Sequence, residues 1–118
     1  MWNEWGDKMK IPKLRAEVII LNEYHSKVLV QCDLSETFYR FPGGSIEFGE
    51  TAKEAIMQEL MEEYDLKIDV QELAVINEDI FEWNNEKGHH CTLIHRGTVQ
   101  ERILKEIRHK EYEDIILT

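Results

Sequence analysis

Apolar and polar positions follow two periods along this chain, and the switches between them mark out its elements. Residues 14–21 are apolar and β-branched and predict a strand. The polar segment 22–26 turns the chain, and residues 27–32 (KVLVQC) predict the returning strand of a hairpin. A short extended stretch at 38–41 is stopped by Pro42-Gly43-Gly44. The period then becomes helical. Thr51 suits an N-cap, Glu54 three residues later completes a capping box, and residues 52–64 contain no Gly or Pro. Ala52, Ala55, Ile56, Leu60 and Tyr64 form an apolar stripe down this helix. Strands are predicted at 66–70, 73–81 and 91–99, with a turn at 84–88. Residues 103–107 read either way, and 114–117 predict a last short strand. One strong helix among strands predicts an α+β domain around a single sheet. The first dozen residues, with Trp2 and Trp5, read as an irregular lead-in. No repeat or linker divides the chain, so residues 1–118 are expected to form one domain.

Composition narrows the classes. At 118 residues and 42% hydrophobic, the chain can bury a core without disulfides. Its 24 acidic and 14 basic residues give a net charge of −10, which argues against nonspecific binding to nucleic acid. The longest strongly apolar run, residues 18–21, is far too short to span a bilayer. No leader pattern opens the chain, and the expected compartment is the cytoplasm. Cys32 and Cys91 stand far apart and are expected to be structural thiols. His89 and His90 are adjacent, so a strand would aim them to opposite faces, away from a shared metal.

The charge is concentrated. Residues 44–66 hold seven acids and one base, Lys53. Glu59, Glu62 and Glu63 stand at i, i+3 and i+4, on one face of the predicted helix. Like charges at this spacing destabilise a helix unless water or a cation attends them. Two readings stay open from spacing alone: a solvated acidic face, or oxygen ligands for a hard divalent cation such as Mg²⁺.

The residues ahead of the helix extend the pattern. Gly44 is followed after five residues by Glu50, then after seven by Gln58-Glu59-Leu60, with Glu62, Glu63 and Leu66 in register. This resembles the signature box of the Nudix hydrolases, G-x5-E-x7-R-E-U-x-E-E-x-G-U with U aliphatic, at seven of nine specified positions over residues 44–66. Phe41-Pro42-Gly43-Gly44 is similar to the family's lead-in. Two positions depart from it: Gln58 replaces Arg, and Asp65 replaces Gly. Asp can adopt the left-handed helix-ending conformation. Gln58 keeps hydrogen bonding but lacks the charge to brace the acidic loop.

The resemblance implies a MutT-like α/β/α sandwich around a mixed sheet, with a shortened C-terminus or with 103–110 standing in for the family's closing helix. It implies metal-dependent attack of water on phosphorus in a nucleoside diphosphate derivative. By family position, Glu59, Glu62 and Glu63 are catalytic. Mg²⁺ or Mn²⁺ would be held by these three, by the Gly43 or Gly44 carbonyl, and by a C-terminal acid, Glu113 or Glu111. Glu59 is the expected general base, with Glu47 and Glu50 shaping the loop. Arg15 and Arg40 are the expected phosphate contacts, and Phe81 and Trp83 the stacking platforms for a base. A missing closing helix would expose a sheet face, so a homodimer is expected, with Trp2, Trp5 and residues 115–117 available as cover. The competing reading, favoured by Gln58, is a catalytically weak nucleotide-binding or sensor protein on the same fold.

Overall fold

A computed structural model of the chain describes residues 10–35, 37–100, 107–110, 112 and 115–118. Strand β1 (Lys13–Ile20) is the keel, with Ala16, Val18 and Ile20 buried on alternate positions. Those three side chains lie in one core with Ala55, Ile56, Leu60 and Tyr64 of helix α1 (Ala52–Tyr64). The stripe predicted from spacing is the stripe that packs. Helix α1 begins at Thr51, whose Oγ1 accepts from the Glu54 N–H at 3.1 Å. It ends at Asp65, left-handed at φ 56° and ψ 36°, the conformation that Gly would supply.

Two sheets, not one, flank this core. Naming the remaining strands β2 (Gln31–Asp33), β3 (Tyr39–Arg40), β4 (Gly43–Ser45), β5 (Ile68–Trp83), β6 (Glu86–Val99), β7 (Ile107–Arg108) and β8 (Ile115–Leu117), the first sheet runs β4-β1-β6-β5. It is mixed: β1 is antiparallel to β4 and parallel to β6. The second sheet, β3-β2-β8-β7, is antiparallel throughout. The mixed α+β architecture is therefore as expected, but the single sheet is corrected.

The reason lies at the first predicted hairpin. Its turn forms, with Asn22 Oδ1 accepting from the Ser26 and Lys27 N–H groups. Pairing then stops after the Leu21–Val28 bridge and the Leu29 N–H to Ile20 carbonyl bond. Both edges of β1 are taken by β4 and β6, so the returning strand diverges to build the second sheet. Two further expectations change. The strands expected at 66–70 and 73–81 are one long β5, bulged between Val70 and Val75. Residues 107–108, inside the segment considered for a closing helix, are strand β7. Residues 115–117 are strand β8, inside the last short strand expected at 114–117, and pair on both sides. No described helix is long and apolar enough to cross a membrane.

Candidate functional site

The turn into β4 and the last two turns of α1 meet beside β1. Gly43 and Gly44 pair in register with Glu17 and Ala16. A Cβ on Gly43 would stand 2.0 Å from the Ala16 carbonyl oxygen, so no side chain fits there. On Gly44 it would fall 2.7 Å from Glu59 Cδ and 3.0 Å from Oε2. Glycine thus lets the Glu59 carboxylate rest directly on the β4 backbone.

Glu63, one helical turn later, brings its carboxyl beside that of Glu59. Burial, above all, and then Glu59 push its pKa up to about 8, with Arg40 pulling the other way. Glu62 turns aside and accepts from Gln58 Nε2 at 2.9 Å. Ahead of the helix the acidic loop closes on itself, Glu50 Oε1 accepting from the Glu47 N–H at 2.7 Å.

Arg40 reaches this region from β3. The Gln31 amide orientation that satisfies both neighbours has Nε2 donating to Tyr64 Oη at 2.7 Å, while Oε1 accepts from Arg40 Nε (3.0 Å) and Nη2 (2.7 Å). Gln31 is buried, so it ties the α1 terminus to the Arg40 guanidinium through a dry link. The Arg40 charge also bears on Glu17, whose pKa burial raises and whose nearest cation is Arg15 at 3.7 Å. Arg15 and Glu17 are only 15% and 16% exposed, although their strand positions read as solvent-facing. They occupy the face of the mixed sheet opposite Ala16 and Val18, hence opposite α1.

The two aromatics lie further out. Leu93 and Ile76 stand level with Ala16 across the sheet, so Phe81 and Trp83 are five and seven residues beyond. At ~3.3 Å per residue that is roughly 17 and 23 Å along the strand. Phe81 already has a partner, packing edge-on against His90 at 4.9 Å between centroids, while Trp83 is 72% exposed. Glu113, Glu111, Trp2 and Trp5 lie outside the described residues.

His109 is the site residue that sequence reasoning missed. It follows β7, is buried, and sets Nε2 3.5 Å from Glu63 Oε2. Its ring meets Tyr64 edge-on at 5.2 Å, and Nδ1 accepts from the Tyr112 N–H at 3.2 Å. The next residue reinforces the contact: the Lys110 N–H donates to the Glu63 carbonyl at 2.8 Å, and Lys110 Nζ pairs with Asp65 at 3.7 Å. A lone histidine far along the chain carries no signal of this role.

Among the described residues, no group of three or more His, Cys, Asp or Glu side chains is arranged to hold a metal ion. What converges is a pair, Glu59 and Glu63, against a glycine backbone. That donor set fits Mg²⁺, which takes one or two carboxylates and completes its shell with water and substrate phosphate.

A model of the NUDIX domain matches residues 12–115. Among solved structures, a MutT NUDIX hydrolase from Burkholderia pseudomallei superposes with a TM-score of 0.68 at 16% identity, over 92% of this chain and 82% of that one. A UDP-X diphosphatase gives 0.66 at 16% identity, over 94% and 52%. An ADP-ribose pyrophosphatase from Streptococcus suis gives 0.57 at 18% identity, over 82% and 69%. The chain spans only about half the length of the UDP-X diphosphatase structure, and 64% of a NUDIX hydrolase from Nitrosomonas europaea. At these identities the structures share the fold.

Proposed function

Because the chain belongs to the NUDIX domain family, we propose that residues 1–118 form one MutT-like hydrolase domain cleaving the diphosphate linkage of a nucleoside diphosphate derivative. The observation that carries this reading is the Glu59–Glu63 pair on Gly43-Gly44, where repulsion and burial hold one carboxyl protonated in the absence of a cation.

Mg²⁺ or Mn²⁺ would be held by Glu59 and Glu63 with a Gly43 or Gly44 carbonyl, and by Glu62 once it releases Gln58, with Glu113 as a further ligand. When bound, the ion supplies charge neutralisation of the diphosphate and acidification of water. The chain does the rest. Glu59, fixed against Gly44, takes the proton from the attacking water as its oxygen bonds to phosphorus. The phosphoanhydride P–O bond on the far side breaks, giving two phosphate-containing products. Arg40, steered by Gln31, meets phosphate oxygens, and Arg15 offers a second cation on the face of the mixed sheet opposite α1. Trp83 offers an open aromatic face to a base and Phe81 a partly covered one.

A homodimer and a cytoplasmic setting belong to the same proposal; two free cysteines suit a reducing compartment. The second reading, a nucleotide-binding protein with weak catalysis, is favoured by Gln58, which engages Glu62 without bringing a charge. A product assay with Mg²⁺ and Mn²⁺ over nucleoside triphosphates, ADP-ribose-like diphosphates and dinucleoside polyphosphates separates the two. Cleavage of one class supports the hydrolase, and tight binding with no cleavage supports the sensor.

A further inference from the structure

We propose that His109 is a positioning residue for Glu63, facing it with Nε2–H in the tautomer that the Tyr112 backbone fixes. The inference rests on the hydrolase reading for its purpose but on separate contacts for its geometry. Nδ1 accepts from the Tyr112 N–H, so that nitrogen carries a lone pair and the ring proton sits on Nε2. Nε2 stands 3.5 Å from Glu63 Oε2, and the His109 side chain is 4% exposed, which leaves little room for water to compete. Contacts with the Tyr64 ring, edge-on at 5.2 Å, and the Tyr112 ring, tilted at 5.1 Å, hold the imidazole in place.

The choice of side chain has chemical content. A lysine or arginine here would neutralise Glu63 and weaken the pull of the carboxyl pair on a divalent cation. A neutral imidazole orients the carboxyl and leaves its charge available. The adjacent cation, Lys110, is spent on Asp65 instead, outside the pair. The segment 109–110 thus clamps the end of α1 while keeping positive charge off Glu63.

The tests use the full chain and the variants His109→Leu and His109→Gln; glutamine can present an N–H in place of Nε2. In metal-free protein, long-range ¹H–¹⁵N spectra should place His109 Nδ1 in the unprotonated range, and Glu63→Gln should move the Nε2 resonance. Calorimetric titration with Mn²⁺ should show His109→Leu weakening binding by on the order of 10-fold or more, with His109→Gln recovering most of it. For cleavage, His109→Leu should lower kcat with KM little changed. A protonated Nδ1, an Nε2 resonance indifferent to Glu63→Gln, or wild-type Mn²⁺ affinity in a folded His109→Leu would overturn the proposal. Should His109→Leu not fold, the wild-type and Glu63→Gln spectra decide it. A wild-type chain that cleaves no phosphoanhydride would sink the hydrolase reading while leaving those spectra to judge His109.

Discussion

Glu63 can lose its proton only at the cost of placing a second negative charge beside Glu59 in a half-buried setting. Its pKa near 8 lies above the ordinary carboxyl value of 4.5, so the folded chain holds this proton where the unfolded chain releases it. The group's stabilising contribution is full below pH 4.5, declines as pH rises, and is gone above about 8. Denaturant midpoints of metal-free protein should show that decline, and Glu63→Gln should flatten it. In cleavage assays, Glu62→Gln or Glu63→Gln should cut the rate by on the order of 10²-fold. Gln58→Arg should leave it equal or higher, since a guanidinium would meet Glu62 with charge where Gln58 now offers an amide. The closeness of Glu59 and Glu63 was legible because helical spacing puts i and i+4 side by side whatever the rest of the chain does. Glu17 and His109 were not. One sits at an alternate strand position that reads as exposed, and the other reaches Glu63 only through tertiary packing.

At the scale of elements, local signals held and partner choice did not. The N-cap at Thr51 and the left-handed Asp65 are decided within a few residues and appear as the sequence predicts, although the Glu54 carboxylate accepts from the Thr51 hydroxyl instead of its backbone N–H. Which strand lies beside β1 is decided by chain segments tens of residues away, and this is where the expected hairpin gave way to two sheets. The β4 pairing leaves no room for a side chain at Gly43. Gly43→Ala should force β4 off β1, because the new Cβ would sit 2.0 Å from the Ala16 carbonyl oxygen. The expected cost is about 1–3 kcal/mol, as for other overpacked sites. Urea unfolding measures it, and an unchanged midpoint would mean that β4 moves freely.

Across the whole molecule, a net charge of −10 makes every bound cation favourable. Millimolar Mg²⁺ or Mn²⁺ should therefore raise the melting temperature, and EDTA should reverse the gain. A temperature indifferent to both ions would count against a carboxylate metal site. The β5–β6 hairpin leaves Leu73, Val75, Ile76 and Ile80 between 44% and 61% exposed, more apolar surface than a lone small domain usually shows to water. Light scattering at high concentration should return the mass of a dimer; a monomer's mass would remove that part of the proposal.

The same hairpin has another consequence. Among the described residues β5 has a single neighbour, so one row of its backbone N–H and C=O groups faces outward over a 16-residue strand. Such a rim is a template on which further chains can add without limit, as in fibrils. Glu72 and Glu78 face the Arg96 and His89 side chains of β6, while Asp69, Asp79 and Glu82 add negative charge along the strand that an incoming acidic strand would have to meet. They act as gatekeepers, and replacing them with apolar residues would turn the rim into a docking edge for further copies of the chain.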